Sequence, residues 1–468
     1  MRERRVTVPF SGPGAGTAPL TWGQKAIMRD MRATGWPHNN SGAHPLPEGV
    51  TVAELAARLG EMMCRHPALR MRLGVGDDGE PCQVVVASGE IDVEVTAFGD
   101  DVDPAEVRAH SHKIWFEWMM TPFDGHTPWL VRLAVLEHRG RAAHLVFAVN
   151  HLVADGTGTL LLMTGLGIGE LADRRLDPDA VTGLDLARRE QTPGARRTSD
   201  GAMRYWEERL RGLPPATFGE PKYPEGRLGH RYWHGRFNSP AAHLAVLAIA
   251  RRTRTDTARV LLAVLAIAIG RATGVDPLTT NVIVSNRFRP GFADVIGTLS
   301  QNSVVTLDLG GTVDEVVART RHAATAAWMR AYYDPDQLDR LIARLDAERG
   351  HPAVVTCRIS DLRFSTRPDA EELLADGDPV TEERVRAELP RTFLSWDGHL
   401  DAMPDQLFIS VEDRPGTIHL QMVFDMAVLT TDQVEAMLHA VEEVALAAAF
   451  DPTAPAIGPT SPAAPGSS

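Results

Sequence analysis

The stretch Leu145-Val146-Phe147-Ala148-Val149-Asn150-His151-Leu152-Val153-Ala154-Asp155-Gly156 decides how this chain is read. Residues 142–149 read as an apolar strand, paired with another at 129–137 through a turn at Arg139-Gly140. The strand ends at His151, and a short loop carrying Asp155 and Gly156 follows. From Gly158 to Leu171 a Leu-rich run reads as a buried helix. A histidine at a strand end can reach into a cleft while the strand holds its backbone rigid. Its ordinary pKa of about 6.5 suits proton abstraction from an alcohol or amine. Asp155 can orient the loop through an ion pair, and Gly156 allows a sharp backbone turn. Taken alone, the string fits a structural histidine better than a catalytic one.

Outward from this stretch, helices and strands alternate twice. Thr21 to Met31 reads as a short helix, and Thr51 with Glu54 forms a capping-box pattern at the head of another. Strand patterns follow at 82–87 and 92–96, then a helix from Pro104 to Met119. A second cycle comprises a strand at 230–237, helices at 241–252 and 257–273, and strands at 281–285 and 304–309. A helix at 313–328, strands at 406–411 and 418–424, and a closing helix at 431–449 complete it. The expected organisation is a lobe over 1–175, a polar linker over 176–200, a second lobe over 201–450 and a disordered Pro/Ala/Ser/Thr tail over 451–468. Two α/β (α+β) halves suggest a cleft between them.

Composition narrows the function class. With 48 Lys and Arg against 61 Asp and Glu, the formal net charge is −13, which argues against a nucleic acid partner. Cys64, Cys82 and Cys357 are scattered and suggest a reducing compartment. The longest apolar run, Val260 to Ile269, is about half the length of a membrane span. A soluble, cytoplasmic protein with no membrane contact is expected. Gly12 to Gly16 is Gly-rich but lacks the Lys and Ser/Thr of a phosphate cradle.

Residues 150–156 resemble the HHxxxDG signature of nonribosomal peptide synthetase condensation domains and their chloramphenicol-acetyltransferase-like relatives. Four further stretches are similar to that family in the expected order. They are Leu20-Thr21-Trp22-Gly23-Gln24-Lys25 and Arg65-His66-Pro67-Ala68-Leu69-Arg70-Met71-Arg72-Leu73, then Tyr205-Trp206 with Leu210-Arg211-Gly212-Leu213-Pro214, and finally Ser285-Asn286-Arg287 with Ile296-Gly297 and Asn302. The resemblance runs from about residue 18 to 450.

The resemblance implies two chloramphenicol-acetyltransferase-like lobes forming a V-shaped pseudo-dimer around a central tunnel. His151 takes the place of the second motif histidine, as general base or as the group that positions the nucleophile. Gly156 is implied as a backbone donor to the tetrahedral oxyanion, and Asp155 as a structural partner of Arg287 across the lobes. Trp22, Gln24, Ser395 and Asn302 are implied as tunnel residues. The first motif histidine is replaced by Asn150, a position that is mainly structural in the family. Gln301, rather than Asn302, is an alternative match. Ala331-Tyr332-Tyr333-Asp334-Pro335 stands where many such domains carry HQDYPFE, and only the Asp-x-Pro flavour survives.

Other side chains have plainer readings. His110 and His112 face apart on a helix and do not suit a metal. Trp115, Phe116 and Trp118 read as core packing or tunnel lining. Ser395-Trp396-Asp397-Gly398 is either the segment that bridges the family's lobes or a simple turn. The function expected is that of a free-standing condensation enzyme in secondary metabolism. It would join an acyl or aminoacyl group from an acyl- or peptidyl-carrier protein thioester to a small-molecule amine or alcohol. No tightly bound cofactor and no metal are expected; the donor is a phosphopantetheine thioester, or a CoA thioester in an alternative reading. A further alternative is a non-catalytic recruitment platform.

Overall fold

Helix starts in this chain are written in its caps. Thr21 and Thr51 each accept from the backbone N–H three residues on, while Gln24 and Glu54 reach back to the cap N–H. These boxes open α1 (Trp22–Thr34) and α2 (Val52–Arg65). The computed structural model describes residues 1–123, 128–168, 176–177, 180–222, 229–363 and 379–457. They form two compact units. The first comprises Met1–Asp200 with Ser285–Gln301 and Tyr332–Pro335; the second comprises Gly201–Val284, Asn302–Ala331 and Asp336 onward.

The first unit is built on a five-stranded sheet in the order β1 (Arg2–Ser11), β6 (Ser88–Phe98), β7 (Val131–His138), β8 (Arg141–Asn150) and β3 (Asn39–Pro45). Strands β2 (Gly16–Pro19), β5 (Pro81–Val85) and β4 (Met71–Val75) form a small separate sheet. Both faces of the central strands are covered. Leu145, Phe147 and Val149 share a core with Leu55, Leu59 and Met63 of α2. Val146 and Ala148 point to the other face, against Val107 and Trp118 of α3 (Pro104–Met120). This two-sided burial explains why β8 is apolar throughout instead of alternating. Arg139 and Gly140, at φ 53° and 71°, supply the left-handed pair that a tight β7–β8 hairpin demands.

The second unit carries a seven-stranded mixed sheet, ordered β11 (Gln301–Leu307), β10 (Leu278–Val284), β12 (Cys357–Asp361), β14 (Leu407–Glu412), β15 (Ile418–Asp425), β9 (Tyr232–Ser239) and β13 (Phe393–Leu400). Helix α8 (Thr257–Thr273) packs against α7 (Pro240–Thr253), α9 (Val313–Met329) and α12 (Thr431–Phe450). Its residues Val260 to Gly270 are all buried, so the longest apolar run is a core helix. Among the described residues, no helix is long and apolar enough to cross a membrane.

Several expectations are corrected. The polar stretch read as a linker contains helix α5 (Gly183–Glu190) and the start of α6 (Pro193–Arg211), because Thr182 caps the first and α5 buries Leu184, Leu186 and Ala187. Helices α10 (Pro335–Arg349) and α11 (Glu382–Glu388) were not anticipated. Asp397-Gly398 does not make a simple turn: it lies within β13, where pairing with β9 slips at a bulge between Trp396 and Gly398. The tail is ordered at its start. Ala454 O accepts from Val313 N (2.9 Å), Ala456 N donates to Gly311 O (2.9 Å), and both alanines are buried. Residues 458–468, and the end of the Leu-rich run at 169–171, lie outside the described residues.

Gly23 on α1 shows how tightly the first unit closes on its 285–301 segment. A Cβ there would stand 2.1 Å from the carbonyl oxygen of Thr298, a backbone atom that cannot rotate away. Gly23→Ala is expected to lower stability by about 1–3 kcal/mol, measured by urea unfolding. An unchanged midpoint would show that this packing tolerates a methyl group.

Candidate active site

Asn150 ends β8 directly opposite Asn39 of β3. Its amide is fully used: Nδ2 donates to Pro37 O (2.9 Å) and Asn39 Oδ1 (3.1 Å), while Oδ1 accepts from Leu152 N (3.0 Å). Asn150 therefore shapes the turn on either side of His151 instead of facing a ligand. The backbone of His151 is pinned as well. Its N–H donates to His38 O (2.9 Å), and its carbonyl accepts from the Thr298 hydroxyl. His38 itself holds φ 48° and pairs with Asp30 at 3.3 Å. At the side chain, Nδ1 is buried and has no hydrogen-bond partner among the described residues. Burial pushes the imidazole below the ordinary histidine range, with the Asp155 carboxylate opposing and His38 adding to the depression. At neutral pH His151 is therefore an uncharged base.

Asp155 is completely buried and caps α4 (Gly156–Gly165). One oxygen accepts from Gly158 N (2.8 Å); the other takes Leu299 N (3.0 Å), Ser300 N (2.9 Å) and Ser300 Oγ (2.8 Å). Arg287 adds a two-pronged ion pair, Nη1 to Oδ2 and Nη2 to Oδ1, both at 2.8 Å. Arg287 also donates to Val295 O (3.0 Å) and Gly297 O (3.3 Å). Desolvation alone would raise the Asp155 pKa, but the Arg287 guanidinium and the surrounding donors outweigh it and hold the carboxyl below its usual range. The pair was expected to cross between lobes. Instead, both residues belong to the first unit, because the 285–301 segment is packed there. Gly156 is the first residue of α4 and is absent from the left-handed glycines, so the sharp turn expected of it is not made.

A strand-end histidine on a loop stapled by a buried Asp–Arg pair sits within a matching sequence profile: the condensation domain matches residues 16–456. The chain belongs to the condensation-domain family. Among its relatives, phosphinothricin tripeptide synthetase PhsC of Streptomyces viridochromogenes is 26% identical over 337 residues, covering 69% of this chain and 31% of that protein. The chain spans less than a third of the length of the first curated relatives it matches. Among solved structures, the condensation domain that mediates chain release from the enacyloxin polyketide synthase aligns with a TM-score of 0.69 at 20% identity, over 98% of this chain and 86% of that one. The X-domain of teicoplanin biosynthesis, solved in complex with OxyB, aligns with a TM-score of 0.63 at 18% identity, over 95% and 96%. These likenesses give the mixed α/β condensation-domain fold. Condensation domains catalyse amide-bond formation on carrier-protein thioesters in natural product biosynthesis, nonribosomal peptide synthesis included.

Other residues singled out from the sequence fall in varied places in this condensation domain. Gln24 is buried, with Nε2 donating to Leu152 O (3.0 Å) and to Met71 Sδ (3.1 Å) and Oε1 accepting from Thr21 N (2.9 Å). It braces the residue after His151. Trp22 is buried beside Tyr332, with ring centroids 4.9 Å apart. Ser395 lies on β13 in the second unit and bonds Asp397, itself paired with Arg236. Asn302 begins the second unit's share of β11, while Gln301 is buried in the first and exchanges hydrogen bonds with the Tyr333 backbone. His110 and His112 stack edge-on with Phe98 and Trp115, and the described residues hold no group of three or more metal-ligating side chains. Trp118 is buried as core, but Phe116 is 60% exposed.

Sequence reasoning missed Thr298 and Ser300, short polar side chains in a loop that carries no motif letter at either position. It also missed Glu190. That carboxyl is buried between Trp22 N (2.8 Å) and the Tyr332 hydroxyl (2.7 Å), and burial pushes its pKa up to about 8. The buried Asp155 ion pair gives a direct test. A carboxyl whose folded pKa is depressed stabilises the fold above its unfolded value, and that stability is lost as pH falls through the folded value. Asp155→Asn is expected to cost about 3–5 kcal/mol at pH 7, because it leaves Arg287 buried without its partner. The deficit should shrink at acid pH, below the ordinary carboxylate range, where the wild-type carboxyl also protonates. Denaturant unfolding from pH 7 to pH 2 measures it; a deficit independent of pH would contradict an ionised Asp155.

Proposed function

We propose that this condensation domain transfers an acyl or aminoacyl group from a carrier-protein thioester to the amine or hydroxyl of a small acceptor, with His151 as the base or positioning group. The reading rests on one observation above all. His151 has a buried ring nitrogen without a partner among the described residues, on a backbone held at both its N–H and its carbonyl, and burial pushes the imidazole below the ordinary histidine range. A fixed, uncharged base beside two bound reactants is what aminolysis or alcoholysis of a thioester requires, and orienting the pair supplies much of the rate. The nucleophile loses its proton toward His151 as it attacks the thioester carbonyl. The tetrahedral intermediate then collapses, and the thiol leaves with the proton. Gly156, at the first position of α4, offers a backbone N–H with no intrahelical acceptor to the developing oxyanion. A CoA thioester is the alternative donor and would follow the same chemistry.

A second reading has a specific footing. Asn150 replaces the first motif histidine, and the fold is shared with an X-domain crystallised with OxyB, so a recruitment role without turnover is the competing account. Turnover with a carrier-loaded acyl thioester and a set of amines and alcohols separates the two. His151→Ala is expected to reduce transfer by about 10²–10⁴-fold while leaving carrier binding intact. Because the imidazole pKa is lowered, the acid limb of the wild-type rate profile should fall below pH 6.5, the ordinary histidine value. Full activity of the alanine variant, or binding without turnover on any thioester, would overturn the catalytic reading.

A further inference from the structure

The second unit contains a groove of about 840 Å³ whose chemistry differs from that of the rest of the chain. It is formed by α6, the start of α8 and the outer face of α9. Four arginines line it, Arg209, Arg259, Arg321 and Arg330, with Glu208 as the one carboxylate on its wall. A local excess of positive charge is notable on a chain of formal net charge −13.

The four cations are in two states. Arg209 and Arg259 are fixed on aromatic rings, with guanidinium carbons 3.4 Å over Tyr205 and 4.0 Å over Trp328. Arg209 further bonds Tyr205 O (3.1 Å) and pairs with Glu208 (3.5 Å), and Arg259 pairs with Asp256 and donates to Thr325 Oγ1 (3.2 Å). The guanidinium groups of Arg321 and Arg330 make no hydrogen bond or ion pair among the described residues, and both side chains are exposed. His322 also faces the groove. The array therefore has a preset half and an unfilled half. Exposed Met329 and the adjoining Ala326 supply apolar wall for an organic body.

We infer that this groove is a binding site for an organic phosphate, a phosphate ester of nucleotide size. Its volume lies in the range of single small-ligand sites, which is about 300–1,000 Å³. Planar guanidinium groups match phosphate oxygens two at a time, and several converging on one anion favour a multiply charged phosphate over a single carboxylate. The mixed wall accommodates the non-ionic part. The site is built entirely from residues of the second unit, whereas His151, Asp155 and Gly156 belong to the first, and it does not depend on the proposed reaction.

Calorimetric titration of the full chain with ADP, adenosine and polyglutamate at low ionic strength tests this. ADP is expected to bind at one site, adenosine at least tenfold more weakly, and binding of ADP should weaken as salt is raised. The double variant Arg321→Gln/Arg330→Gln, altered at exposed positions, should lose at least tenfold in ADP affinity with an unchanged circular dichroism spectrum. Equal ADP affinity in the variant, equal binding of adenosine, or binding of polyglutamate with none of ADP would overturn the assignment.

Discussion

A single buried carboxylate organises the first unit around the loop that carries His151. Asp155 has no solvent to hydrate it, so every lone pair must be met by the protein, and the donors that meet it come from different parts of the chain. The Gly158 amide anchors it to α4, the Leu299 and Ser300 amides tie it to a loop nearly 150 residues later, and Arg287 closes the charge. Once those donors are placed, the 295–300 loop has little freedom. That loop in turn delivers the Thr298 hydroxyl to the carbonyl of His151. Asp155 thus fastens the surroundings of His151.

The histidine itself is held by its backbone, while its ring Nδ1 is buried without a partner among the described residues. Asn150, His38 and Gln24 each take a backbone group of residues 151 or 152, either directly or one residue along. None of these spends a bond on the imidazole. Burial keeps it uncharged, and the nearby Asp155 carboxylate, already neutralised by Arg287, only partly reverses that. The substitution of Asn for the first motif histidine fits this division of labour. At Asn150 the amide makes three hydrogen bonds to shape the turn, a task that does not need a titratable ring.

Much of this was legible in the residues. The apolar run 145–149 predicts a buried strand ending at His151, because both of its faces are covered in the fold. The Thr51–Glu54 capping box predicts the start of α2, since capping depends on local spacing alone, whereas Thr21, read as the first residue of a helix, is the cap of α1. The pairing of Asp155 with Arg287 followed from family resemblance and not from spacing. What stayed hidden depends on tertiary contact. Leu299 and Ser300 reach Asp155 through backbone amides, which leave no residue signature. Glu190 sits in a polar stretch, and only Trp22 and Tyr332 closing over it reveal a buried acid. At Asp397-Gly398 a strong local turn signal yields to cross-strand pairing, which absorbs the pair as a bulge in β13.

The most direct test of the Asp155–Arg287 fastening is a double-mutant cycle on these two positions, read in both unfolding free energy and acyl-transfer rate. Asp155→Ala, Arg287→Ala and the double variant close the cycle. The account predicts a coupling of about 2–3 kcal/mol in stability, with each single variant losing nearly as much transfer activity as the double. Additive effects, with coupling near zero and transfer preserved in the Arg287 variant, would contradict it.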